Sequence, residues 1–263
     1  MRRTLPAAII LAATVLAGCS VLEDRDLAPG DVVVDLYTFS PLVEEDYVFC
    51  LRRADADEKT VVIPKGSGSE PIHVDNISRN SFRWYLYPAS LARTSSLVDY
   101  PSGDPRRLYM AAGNVDASPE QAHLTPAAQS QAAQLTVVLS GDGTPDPGTP
   151  MSAELTVGRT RVNLDTWEGF PAETDVTVAK AGEDGVFRFL VYRQADYQQT
   201  LRISGCPGAP ELIDVGLALR RCGYDWTAEN LPDITLTIDI TANSVSVSVE
   251  PWDEGSSKDI TYL

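Results

Sequence analysis

Residues 234–250 read "ITLTIDITANSVSVSVE", two runs of strict two-residue alternation around a short polar break. In the first run the apolar residues are even-numbered, Ile234, Leu236 and Ile238; in the second they are odd-numbered, Val245, Val247 and Val249. Successive side chains of a strand point to opposite faces, so each run is a half-buried strand. The intervening "TANS" changes the parity and restores one common inward face, which predicts a terminal hairpin. Pro251 cannot donate a ladder hydrogen bond, so the second strand ends there or runs along a sheet edge. Trp252 then places a large ring where the chain leaves the sheet. The tail "DITYL" alternates again at Ile260 and Tyr262, enough for one more short strand, although chain ends are usually frayed.

The rest of the chain follows the same pattern. Strand-like runs rich in β-branched and aromatic residues lie at 32–39, 47–52, 60–64, 82–87, 107–113 and 135–140, and again at 153–164, 174–180, 186–193 and 199–204. Asp184-Gly185 between two of these runs is a hairpin signal. Two stretches read as helical. Residues 119–133 are rich in Ala and Gln behind a Ser118-Pro119 start, and Asp214 and Gly223 bracket a short segment as cap and stop. "GDGTPDPGTP" at 141–150 cannot hold a ladder and marks a boundary. Asp142 and Asp146 within it lack the spacing and terminal Glu of a calcium loop. The resulting division is an N-terminal β-sandwich over 31–141, a linker over 142–150 and a C-terminal β-sandwich over 151–263, all-β in class.

The beginning of the chain, "MRRTLPAAIILAATVLAGCS", has a basic start and an apolar stretch over 5–17, shorter than the roughly 20 residues of a spanning helix. Leu16-Ala17-Gly18-Cys19 then fits a bacterial lipobox. Residues 1–18 read as a lipoprotein signal peptide, Cys19 as the lipidated residue and 19–30 as an acidic tether. Several acyl chains anchor stably where one does not. Loss of Arg2 and Arg3 takes Lys plus Arg from 21 to 19 against 37 acids, and the net charge from −16 to −18. Such a surface repels phosphate backbones and anionic lipid, which excludes a nucleic-acid partner and favours a tethered, outward-facing body.

Little in the chain suggests catalysis. The two histidines, His73 and His123, stand fifty positions apart in unlike contexts, and no HExxH, paired CxxC, GxSxG or phosphate-cradling loop occurs. "PKGSGSE" at 64–70 follows a strand but leads into no helix, so it reads as a hairpin loop. The expectation is a non-enzymatic protein with no cofactor and no metal. Cys50, Cys206 and Cys222 read either as small buried hydrophobes or with Cys206 and Cys222 paired. Of the remaining tryptophans, Trp84 reads as core, while Trp167, with Phe170 nearby, is either a loop anchor or a sugar-stacking platform.

The segments "FRFLVYRQADYQQTLRIS" (187–204), "GYDWTAENLPDITLTIDI" (223–240) and "VSVSVEPWDEG" (245–255) resemble the fimbrillin superfamily of Bacteroidota, the subunits of type V pili, most closely its anchor-type lipoproteins. The resemblance covers about 70 residues. It implies two transthyretin-like β-sandwiches in tandem, an outer-membrane, cell-surface location in a fimbrium, and other fimbrial subunits as partners in strand complementation. Val245, Val247, Val249, Trp252, Ile260 and Tyr262 are the candidates for that exchange. It also implies a choice. Stem or tip subunits lose an N-terminal strand by cleavage after Arg, for which Arg52 or Arg53 is placed, whereas anchors keep their N-terminus and lipid. A surface lipoprotein that binds a glycan or host ligand is the alternative.

Overall fold

The computed structural model describes residues 30–34, 44–53, 58–67, 71–77, 81–101, 106–116, 122–146, 148–182, 184–250 and 258–262. The protein is all-β with one short helix, layered as β-sandwiches. The first ten strands are β1 (Gly30–Val34), β2 (Tyr47–Arg52), β3 (Glu58–Ile63), β4 (Ile72–Ile77), β5 (Ser81–Pro88), β6 (Arg93–Thr94), β7 (Leu97–Asp99), β8 (Tyr109–Asp116), β9 (Ala122–Leu124) and β10 (Gln129–Ser130). They are followed by β11 (Ala132–Ser140), β12 (Met151–Asn163), β13 (Gly169–Gly182), β14 (Val186–Tyr192), β15 (Thr200–Ser204), β16 (Ile213–Asp214), α1 (Val215–Cys222), β17 (Asp233–Asp239), β18 (Ser244–Glu250) and β19 (Lys258–Tyr262).

In the first body a sheet ordered β4-β1-β9 faces one ordered β10-β8-β5-β2-β3. Period-two alternation aims Phe49, Leu51, Trp84 and Leu86 of the second sheet into a shared core with Val74 and Leu124 of the first. Trp84 is core, as its strand context predicts. Gly113 lies opposite it in register, and a Cβ there would stand 2.7 Å from the indole ring. In the second body the sheet β14-β11-β17-β18-β19 packs on one containing β16-β15-β12 with β13. Their interior is built from the alternate residues Leu135, Val137, Leu155, Phe187, Leu201 and Leu236.

The terminal hairpin has the anticipated register: Ile234 faces Val249, Leu236 faces Val247 and Ile238 faces Val245. The helix also follows its caps. The Asp214 carboxylate accepts from the Leu217 N–H, and Gly223 closes the helix at φ 74°, a left-handed turn that glycine adopts without a Cβ clash.

Three expectations are corrected. Residues 119–133 do not form a helix where they are described; they contain β9, β10 and the start of β11. Ala132 and Ala133 are fully buried opposite Tyr192 and Val191, so pairing and close packing outweigh their helix propensity. The turn at Asp184-Gly185 is tight, with Gly185 at φ 72°, but it does not join paired strands. β13 pairs with β12 and β14 with β11, so this turn carries the chain from one sheet to the other.

The third correction concerns the boundary. β11 pairs with β14 and, in parallel, with β17, so residues 132–140 belong to the second body. The stretch 141–150 is therefore a connection inside that body, and strand pairing places the joint at Gln131, between β10 and β11. A long strand crosses the joint as well. The first half of β12 pairs with β15 and, past an irregularity at Gly158–Thr160, its second half pairs with β7. A third apolar cluster lies there, joining Tyr85, Val98, Tyr100 and Met110 to Val162, Leu164, Trp167 and Tyr192.

A protease should still nick the exposed Gly141–Gly143 loop. The fragments should then co-elute on gel filtration and separate only in denaturant, because the first keeps β11 in the middle of the second's sheet. Two halves that part spontaneously and remain folded would contradict this pairing.

Candidate functional site

The strand-exchange candidates lie at one edge of the second body. Val247 is buried, and Val245 and Val249 are half-buried against the core. The outer edge of β18 is occupied by β19 of the same chain, with Val245 opposite Tyr262, Val247 opposite Ile260 and Val249 opposite Lys258. The tail is thus a strand folded back on its own subunit. Beside this edge, Pro210, Leu212, Leu217, Arg221 and Val245 line a shallow groove of about 210 Å³, from which Leu212 and Leu217 project into solvent. Trp252 and Cys19 lie outside the described residues, as do the side chains of Ile260 and Tyr262.

Arg52 ends β2 inside a closed ladder, paired with Glu58 of β3 on one side and Arg83 of β5 on the other. Its Nη1 donates to Ser95 Oγ at 2.7 Å. Arg53 follows at the end of the strand, half-buried. β1 runs between β4 and β9.

Pairing also brings the histidines together, which their separation in sequence hid. His73 and His123 both lie opposite Val33, one on each side of it. Two strand spacings put their backbones roughly 9–10 Å apart. Among the described residues no cluster of His, Cys, Asp or Glu could hold a metal.

Among the described residues no disulfide forms, and Cys50, Cys206 and Cys222 are all buried. Burial pushes the Cys50 thiol up to about 12, only partly offset by the Arg93 guanidinium, so it is an inert thiol rather than a nucleophile. Trp167 is a loop anchor. It is 7 % exposed, sits at φ 58°, and its ring packs 5.3 Å from the Arg193 guanidinium carbon.

Arg193 is the residue that periodicity did not single out. It is fully buried at the joint of the two bodies, and among the described residues its hydrogen-bond acceptors are neutral oxygens. Its donors go to Gln131 Oε1 at 2.9 Å and to the main-chain oxygens of Trp226 and Glu229 at 2.7 Å each. Burial pulls its guanidinium below the usual arginine value, and the neighbouring Tyr100 and Tyr224 hydroxyls work the other way. A guanidinium starts so far above neutral pH that it keeps its charge.

No family model matches the chain, and no curated protein matches it in sequence. Solved structures do match in fold. The fimbrial anchor protein Mfa2 of Porphyromonas gingivalis superposes with a TM-score of 0.53 at 13% identity, over 86% of this chain and 98% of that one. A candidate adhesin of Bacteroides thetaiotaomicron gives 0.55 at 12% identity, over 84% and 97%. Candidate polysaccharide-binding proteins of the same organism give 0.57 at 10% identity, over 88% and 98%. The chain has the β-sandwich fold of these fimbrial and adhesin proteins over nearly their whole length.

Proposed function

We propose that this protein is a lipid-anchored subunit of a cell-surface fimbrium, of the anchor or minor type, held in the outer membrane through Cys19 and joined to other subunits by β-strand complementation. Its work is adhesive and mechanical rather than catalytic. The fold shared with a fimbrial anchor and a candidate adhesin supports the general role.

The observation that carries the anchor reading is the place of the first two strands. Cleavage after Arg52 or Arg53 would remove β1 and β2 together. That takes the middle strand out of one sheet and the fully buried Phe49 and Leu51 out of the other. Arg52 is paired on both sides, so a protease would first have to unravel the ladder. A stem subunit that sheds an N-terminal strand should carry its cleavage site in an accessible loop.

The test is the intact mass of the mature protein isolated from outer membranes. The expected species begins at an acylated Cys19. A chain beginning at Arg53 or Ala54 would overturn the anchor reading and return the protein to the matured stem or tip class.

A further inference from the structure

On the outer face of the β2–β5–β8 sheet, Arg52, Arg83 and Asn114 stand directly opposite one another in register. Directly paired residues lie on the same face about 5 Å apart at Cβ, and like charges so placed destabilise the sheet. Arg53 lies at the rim. Arg93 packs behind on the Tyr85 and Tyr87 rings, at 5.1 and 5.5 Å. In a chain with 37 acidic and 21 basic residues, four arginines at one corner are not what average composition supplies.

The corner is also built. Arg83 is held by Asp165 at 2.8 Å and by the Leu164 carbonyl at 3.1 Å, and Tyr85 bonds the same carboxylate at 3.0 Å. Arg93 bonds Glu58, Ser95 O and Tyr87 Oη. Burial works against the charge on Glu58, yet the Arg93 bond, the Cys50 thiol and the nearby Arg52 charge together hold the carboxyl below its usual range. Ser95, which receives both Arg52 and Arg93, sits at φ 60° without being glycine. Such backbone strain collects where geometry matters for function. Together with Ser81, Phe82, Tyr85, Asn114 and Asp165, three of the arginines, Arg52, Arg53 and Arg83, line an open concavity of about 430 Å³.

We propose that this corner binds the carboxylate of an acidic sugar, a uronic-acid residue of a polysaccharide. A guanidinium offers five donors. Arg52 spends donors on Ser95 and toward the Tyr85 hydroxyl, and Arg83 two on the bonds named above, which leaves further donors of both for a carboxylate. Focusing by a basic corner on an acidic body selects an anion that the rest of the surface repels. Sugar is favoured over peptide because no strand edge opens here. Arg52 lies on β2 between β3 and β5, and Arg83 on β5 between β2 and β8, so an extended peptide finds no ladder to join. Exposed Asn114 instead offers an amide to sugar hydroxyls, and Ser81, whose hydroxyl donates to Asp116, an acceptor oxygen. The inference adds a ligand to the surface role proposed above. It rests on that role only for where such a polysaccharide is met.

Titration calorimetry with a galacturonate trisaccharide tests it on the purified chain, independently of pilus assembly. Binding should weaken as salt rises toward about 0.15 M, and a neutral galactose trisaccharide should not bind. Arg52→Gln should weaken binding about ten-fold or more, the scale of a hydrogen bond to a charged group. It should also melt close to the parent, since relief of the Arg52–Arg83 repulsion offsets the lost Ser95 bond and Glu58 attraction. Arg202→Gln, on another exposed strand, should bind like the parent. Absence of uronide binding, or binding that Arg52→Gln leaves unchanged, would overturn the site. Equal binding of a tri-glutamate peptide would overturn the choice of sugar.

Discussion

Replacing Arg193 with Met should lower the free energy of unfolding by about 3–5 kcal/mol, the scale of breaking a buried, fully bonded charge. An ion pair buried between two side chains can often be exchanged for apolar residues without loss, because both charges leave together. Arg193 is different. Three of its acceptors, at Trp167, Trp226 and Glu229, are main-chain carbonyls, and substitution cannot remove them. Methionine fills much of the volume and takes the donor from those oxygens, and leaves Gln131 Oε1 with only the Tyr100 hydroxyl at 3.3 Å, around a side chain that is itself fully buried. Against a typical total of about 5–15 kcal/mol, that loss is large. Lysine keeps the charge but presents its donors from one nitrogen, so Arg193→Lys should recover only part of it. Urea unfolding of the three proteins measures the series. A methionine variant within about 0.5 kcal/mol of the parent would mean that the joint is held by its apolar cluster alone.

The position of Arg193 also shows where reading the sequence succeeds and where it stops. Local signals did well. The parity change between Ile238 and Val245 gave the hairpin its register, and Asp214 and Gly223 bounded the helix before any partner was known. What failed was the choice of partner, which depends on contacts distant in the chain. Asp184-Gly185 has the chemistry of a tight turn, and nothing local says that the strands on either side belong to opposite sheets. Ala132 and Ala133 favour a helix in isolation, and only the Tyr192 and Val191 strand beside them makes small side chains useful in a ladder. The Gly/Pro stretch at 141–150 marks a break in hydrogen bonding but not which side of a domain boundary it serves. The basic corner was hidden for the same reason. Arg52 was noted for its neighbour Arg53, whereas its place opposite Arg83 appears only once β2 and β5 are paired.

Deleting Ser256 to Leu263 should leave a folded, lipidated protein and release pili into the medium. The deletion removes β19 and uncovers the edge of β18, whose N–H and C=O groups then lack a strand partner. The core should survive. Val247 is buried by the sheets beneath it, and β18 keeps its full ladder with β17 on the other side. In the intact subunit the tail satisfies that edge from within, and residues 251–257 lie between it and β18. If the tail is the strand given to a neighbour, it leaves β18 and pairs elsewhere, and its own edge becomes available in return. The exchange replaces one five-residue ladder with another of the same kind. It therefore needs little net free energy beyond what side-chain pockets in the neighbour provide. The truncated protein should accordingly rebind a peptide of sequence SSKDITYL, while cells carrying it shed their pili. Cells that keep surface-bound pili after the deletion would show that β19 only seals its own subunit. The search for the donated strand would then move to Val245, Val247 and Val249, where donation would require opening the terminal hairpin itself.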